Sequence, residues 1–237
     1  MRNWQEDLLH IAHHNTMDKH DVFKRIKIAA TALQFDYVAY GFESPYPFSR
    51  PKITLLNNYP RSWQENYKKE GYIRIDPTVT HGRRSRNPII WSDQLFINAQ
   101  NFWENARDHG LNVSWAQSIL DNFGGKSMIT LSRSYKSLTT KELEGNELKM
   151  RWLAQVAHFA LSKFFQIDLI TKETPLSRRE VEVLKWSADG KSAQDIADIL
   201  NLSKNTVDFH IKNSLAKLQA PNKTAAVIRA ALTGLLN

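Results

Sequence analysis

Three serines punctuate the last sixty or so residues, each set just before an apolar run of helical period, and their spacing leaves room only for short helices. Ser177 with Glu180 three residues on makes a capping box, and Leu176 with Val181 a hydrophobic staple. A helix therefore starts there, buries Val181, Leu184 and Ala188, and stops at Gly190. Ser192 caps a second helix, whose stripe is Ile196, Ala197 and Leu200 and whose end is Asn201. After a three-residue turn Ser203 caps a third, stapled by Leu202 and Val207. Val207, Ile211, Leu215 and Leu218 fall on one face of it. With a final helix behind them, these make a small all-helical domain of four helices with a helix-turn-helix inside it.

Asn205, Asp208, Phe209, Lys212 and Asn213 point away from the apolar face of the third helix. In a helix-turn-helix that helix enters the major groove of double-stranded DNA with its N-terminal half. Its chemistry suits base edges: Lys212 can donate to guanine, Asn205 can pair with adenine, Asp208 can accept from cytosine, and Phe209 can touch a thymine methyl. Lys191, Ser192, Lys204 and Thr206 stand at helix starts, where positive charge and free N–H groups suit phosphates. The same pattern fits a helical satellite domain with a solvated face, and Asp208 with Lys212 fits a surface ion pair.

Charge does not decide between these readings. The chain of 237 residues has a net charge of +8, but from Lys172 onward ten Lys/Arg face seven Asp/Glu, so the basic excess is spread along the chain. Its length calls for two domains, and 42% hydrophobic with 24% charged residues is ordinary globular composition. No apolar run approaches a membrane span, and Met1 to His14 lacks a signal peptide's apolar stretch, so a cytoplasmic protein without membrane contact is expected. The absence of cysteine excludes disulfides, thiolate nucleophiles and cysteine-bearing metal sites.

The front of the chain reads as a layered α/β domain, an α-β-α sandwich around an antiparallel sheet. Two helices fill Trp4 to Leu33; strands follow at Phe35 to Phe42, Ile53 to Leu56 and Ile89 to Trp91; helices lie at Pro60 to Glu70 and Asn101 to Asp108. Val113 to Leu120 and Ser127 to Arg133 pair across the turn residues Asp121 to Gly125. Thr139 and Glu142 form another capping box, with Leu138 and Leu143 as staple, opening a long helix to about Phe165. The domains are 1–168 and 176–237, joined by a linker at 169–175.

No phosphate-binding glycine loop, nucleophile elbow or zincin motif occurs, and a chain opening on helices lacks a phosphoreceiver's layout. Neither catalytic residues nor a cofactor is expected. His10, His13 and His14 share a helix face but lack the carboxylate or cysteine partners of a known metal spacing, so they read as solvated. Tyr59, Trp63 and Tyr67 recur every four residues, a stripe that is usually core, and Asp76-Pro77 has the form of a plain helix start.

Two resemblances sharpen this. Leu176 to Trp186, Gly190-Lys191-Ser192, Ile196-Ala197, Leu202-Ser203, Thr206-Val207, His210, Lys217-Leu218 and Asn222-Lys223 closely resemble the LuxR-type helix-turn-helix. Asn57-Asn58-Tyr59-Pro60, Trp63, Tyr67, Ile75-Asp76-Pro77 and Pro88 with Trp91 resemble the autoinducer-binding domain of the quorum-sensing receptors that carry that tail. The resemblance implies a ligand-responsive transcriptional regulator that binds an N-acyl-homoserine lactone in front and, as a homodimer touching through Lys223 to Leu235, a pseudo-palindromic operator behind. RNA polymerase is a further partner.

By the resemblance, the Trp63 indole donates to the lactone carbonyl, Asp76 accepts the amide N–H, and Tyr59 donates to the amide oxygen. Trp91 packs on the lactone ring, Tyr67 lies along the acyl chain, and Thr130 adds a polar contact. Ser118, where many relatives carry proline, and the small Ala39 depart from the pattern. Phe102-Trp103-Glu104 and Gly234 to Asn237 are most like an orphan receptor of the family, which implies a long acyl chain. A member acting through another ligand, or none, is the alternative.

Overall fold

The structure, a computed structural model, describes residues 4–13, 17–121, 124–165 and 175–236. The His10, His13 and His14 side chains, Asn122 and Phe123 of the turn, and nearly all of the expected linker lie outside the described residues. The described residues form two compact units.

The front unit is built on a five-stranded antiparallel sheet of order β2-β1-β5-β4-β3. Its strands are β1 (Tyr37–Glu43), β2 (Ile53–Asn57), β3 (Ile89–Ile90), β4 (Val113–Leu120) and β5 (Lys126–Arg133). Strict alternation in β1 buries Val38, Tyr40 and Phe42, and with Ile129 and Leu131 of β5 and Trp115 and Ile119 of β4 they make one apolar face. Three helices cover it: α1 (Trp4–His13), α2 (Lys19–Ala32) and α6 (Thr140–Ser162), through Leu8, Val22, Ile26, Met150, Leu153 and Leu161. On the opposite face lie α3 (Arg61–Lys69), α4 (Pro77–Arg84) and α5 (Gln100–Asp108), with a short 3-10 turn at Tyr72–Arg74, giving the expected α-β-α sandwich.

The capping box expected at α6 is only half made. Thr139 Oγ1 accepts from the Glu142 N–H at 3.2 Å, but the Glu142 carboxylate is claimed by Arg133, 2% exposed, at 2.7 and 2.9 Å. A charged, bidentate pair in a dry place outweighs a neutral cap bond.

The second unit holds α7 (Arg178–Ala188), α8 (Ala193–Leu200), α9 (Lys204–Lys217) and α10 (Lys223–Leu232). Both halves of the Ser177–Glu180 box form; Ser192 makes a second box with Asp195, and Ser203 caps α9. Asn201 ends α8 at φ 53°, the left-handed conformation a C-cap needs. The buried face of α7 is not the expected one: Ala188 is exposed, and Val183 is fully buried beside Leu184. The cause is burial on two sides. Leu184 packs with Leu218 and Ala226 toward α10, while Val183 packs with Ile196 and Val207 of the helix-turn-helix.

Candidate ligand cavity and DNA-reading helix

Between the sheet and the α3–α4 layer lies a cavity of about 450 Å³. Within the range typical of small-molecule sites, it is lined by all six residues singled out in the front domain: Tyr59, Trp63, Tyr67, Asp76, Trp91 and Thr130. The empty volume arises where side chains are small. Ala39 and Gly41 floor it on β1, and Gly82 lets α4 lie against Met128 and Ser118, where a Cβ would collide. Leu55 on the edge strand and Gln64 and Lys68 on α3 line it and are exposed, so it opens to solvent between β2 and α3.

Each polar group is fixed by its local structure. Asp76 is the N-cap of α4, with Oδ1 accepting the Thr78 N–H at 2.8 Å, and Oδ2 accepts the Tyr67 hydroxyl at 3.0 Å. Burial pushes its carboxyl above the usual range, against hydrogen bonds from Thr78, Tyr67 and the Val79 N–H. Burial likewise holds the Tyr59 and Tyr67 phenols well above 10, so both stay neutral donors. Tyr59 precedes α3 rather than lying on its face. Its hydroxyl is 3.3 Å from Ser132 Oγ, which accepts from Ser114 Oγ at 2.7 Å.

Trp63 is clamped by Phe102, Tyr67, Tyr72 and His109 with ring centroids 5.5–5.8 Å away, and its indole N–H has no partner among the described residues. Trp91 stands edge-on to Phe96 at 5.1 Å and Trp103 at 5.9 Å, and its N–H is buried without a hydrogen bond. The aromatic stripe is thus core and cavity wall at once. Thr130, paired with Ala39 and Ala116, completes a carboxylate acceptor and hydroxyl and indole donors at the head of a channel walled by Leu55, Val79 and Met128.

Ser127 Oγ lies 2.7 Å from His158 Nδ1, and His158 Nε2 lies 4.0 Å from Asp121, an order that resembles a nucleophile, base and acid. Ser127 is only 3% exposed, and Tyr40 contacts the same Nδ1 at 3.2 Å. Ser127 also lines the cavity, but its hydroxyl is engaged by His158 of α6, so the set is a buried polar network that ties the sheet to α6.

On α9, Asn205, Asp208, Lys212 and Phe209 (60% exposed) form an open face, while Asn213 is half-buried rather than fully outward. Among the described residues no ion pair joins Asp208 to Lys212, and both side chains are exposed. Lys191, Ser192 and Lys204 are exposed. The Ser192 N–H is taken by Asp195 at 2.8 Å, and the Thr206 hydroxyl lies 2.8 Å from Ser203 Oγ, so both carry capping duties.

Residues 18–161 match the family model of the autoinducer binding domain, and residues 174–230 match that of the bacterial regulatory proteins, luxR family. The chain belongs to the LuxR family. It is 42% identical over 239 residues, all of both chains, to the transcriptional activator protein AnoR of Acinetobacter nosocomialis. The structure of SdiA in complex with octanoyl-rac-glycerol is 34% identical with a TM-score of 0.81, covering 100% of this chain and 99% of that one. That of the N-acylhomoserine lactone dependent factor CepR2 of Burkholderia cenocepacia is 27% identical with a TM-score of 0.61, over 68% of this chain and 96% of that one. As a LuxR-family protein the chain is a ligand-responsive transcriptional regulator of quorum sensing. Among its described residues no helix is long and apolar enough to cross a membrane.

Sequence reasoning missed Ser132, Met128, Gly41 and Gly82. The first two were within reach, since they share the inward face of β5 with Thr130 at period two. The glycines contribute only the space they leave.

Proposed function

We propose that the cavity binds an N-acyl-homoserine lactone and that the filled protein acts in the cytoplasm as a homodimer on a pseudo-palindromic operator, without catalysing a reaction. The observation that carries this is the convergence of the Asp76 carboxylate, the Trp63 indole and the Tyr59 hydroxyl on one mostly apolar channel. An amide N–H needs an acceptor, lactone and amide carbonyls need donors, and an acyl chain needs the apolar wall. The domains are 1–168 and 176–237, and on α9 Lys212, Asn205, Asp208, Phe209 and Asn213 meet base edges while Lys191, Ser192, Lys204 and Thr206 meet phosphates. Two-fold symmetry places the half-sites one helical turn or a multiple apart, with RNA polymerase the partner at the promoter.

SdiA's occupant makes an acylglycerol the second reading. The test is the melting temperature of the full chain with a panel of acyl-homoserine lactones and with octanoylglycerol. A ligand in hundredfold excess over Kd stabilises the folded form by about 2.7 kcal/mol. Selective stabilisation by lactones, recovered intact by mass spectrometry, supports the proposal; stabilisation by the glycerol ester alone favours the second reading, and turnover overturns the absence of catalysis. Trp63→Phe removes the indole donor and keeps the ring, so it lowers the lactone response of a folded protein.

A further inference from the structure

The cavity has a second end that the lactone head does not explain. Its polar head lies by Tyr59, and the register of β5 carries the lining from Thr130 past Met128 to Lys126, about 13 Å at the rise of a strand. At that far end three lining side chains from three elements meet. Glu43 of β1 takes the Arg83 guanidinium of α4 through Nε at 3.2 Å and Nη2 at 2.8 Å, and stands 3.7 Å from Lys126 Nζ of β5. Short of it the floor is Ala39 and Gly41 and the roof Val79 and Gly82, all too small to stop a chain. Met128, a flexible side chain whose methyl end lies against Gly82, narrows that stretch, and beyond it the lining ends in charge.

We infer that the Glu43–Arg83–Lys126 cluster is the stop that sets the longest acyl chain the cavity accepts. The inference rests on the acyl ligand proposed above. Methylenes short of the cluster replace water against Leu55, Val79 and Met128, each tightening binding about fourfold. A chain that reaches the cluster must strip solvent from a carboxylate and two cations or push them apart, so further carbons gain nothing. The stop is soft rather than absolute, because the Arg83 and Lys126 side chains are 45% and 42% exposed and can swing outward. Glu43, at 18%, is the fixed member, held in the strand.

The experiment measures apparent Kd, from melting-temperature shifts, for straight-chain lactones from butanoyl to hexadecanoyl on the full-length wild type, Arg83→Ala and Glu43→Gln. Arg83 lies on the exposed last turn of α4, so its truncation spares the fold even where Glu43→Gln does not. For the wild type, affinity rises with chain length and then levels. In the variants the short members bind as in the wild type, which shows an intact head, while the levelling point moves to longer chains. Lactones beyond the wild-type limit then bind at least fourfold tighter. A wild type that discriminates by length, with an unmoved limit in both variants, overturns the stop and leaves the ligand class standing. A wild type stabilised by no lactone overturns the ligand class and the stop with it.

Discussion

The Tyr67 hydroxyl donates to Asp76 Oδ2 at 3.0 Å while the Thr78 N–H holds Oδ1 at 2.8 Å, so a buried carboxylate is fixed by its own helix cap and by the neighbouring helix. Burial raises its pKa, which means the folded protein disfavours the charge it must carry near neutrality. Because its folded pKa lies above the unfolded one, this penalty is absent below the unfolded pKa and fully present above the folded one. Asp76→Asn keeps a good N-cap and removes the charge. The ligand-free variant is expected to melt at or above the wild-type temperature at neutral pH, while lactone affinity falls about ten- to a hundredfold with the loss of a charged acceptor. Calorimetry with and without lactone checks both; unchanged affinity removes Asp76 from the ligand's amide.

Glu142 is expected to matter for stability far more than an ordinary cap residue. Arg133 is nearly fully buried and spends its donors on Glu142 and on the Lys136 and Ser137 carbonyls. Glu142→Ala leaves that guanidinium without a counter-charge, at a cost of about 3 kcal/mol or more to the front domain. Thr139→Ala removes only the cap and costs about 1 kcal/mol. Calorimetric transitions of the two variants rank them, and equal losses would mean that the ion pair adds little.

The contrast between those residues shows what the chain spells out locally. Thr139 and Glu142 have the spacing of a capping box, but Arg133, on the preceding strand, is close enough to take the carboxylate, and no local pattern announces that. Ser177–Glu180 was legible because its Glu180 serves cap and tertiary partner together, accepting from the Ser177 N–H at 2.7 Å and from Lys217 Nζ at 2.8 Å. The head of the cavity could be read because Tyr59, Trp63, Tyr67 and Asp76 lie within one short segment. Its far end could not, since Glu43, Arg83 and Lys126 are separated along the chain and meet only when β1, β5 and α4 assemble. Val183 in place of Ala188 has the same origin, a helix packed on two sides where periodicity assumes one.

A pH dependence follows from His158. Burial depresses its pKa below the usual 6.5, with Asp121 pulling the other way. The facing groups are Tyr40, Ser127 and Asp121. A base with a depressed folded pKa is bound neutral, so its contribution is intact above the unfolded pKa and is lost as pH falls from about 6.5 toward the folded value, with a slope of at most about 1.4 kcal/mol per pH unit. The melting temperature of the front domain is expected to drop between pH 7 and pH 5.5, and His158→Gln to flatten part of that slope. An identical slope in the variant assigns the titration elsewhere.

The exposed face of α9 separates two kinds of cation. Lys212, exposed and about two turns into the helix, is proposed to meet a base edge, and Lys204, the first residue of the helix, a phosphate. Lys212→Ala is expected to cost about 1–3 kcal/mol on the preferred operator and to relax preference at one base position in each half-site. Lys204→Ala is expected to weaken binding evenly across sequences and to lower the salt slope by about 1 per subunit that loses the contact. Fluorescence anisotropy on operator and scrambled duplexes, at several salt concentrations, distinguishes the two. If Lys212→Ala weakens both duplexes alike and changes the salt slope instead, Lys212 contacts the backbone, and base reading falls to Asn205, Asp208 and Phe209, the exposed side chains nearer the start of the helix.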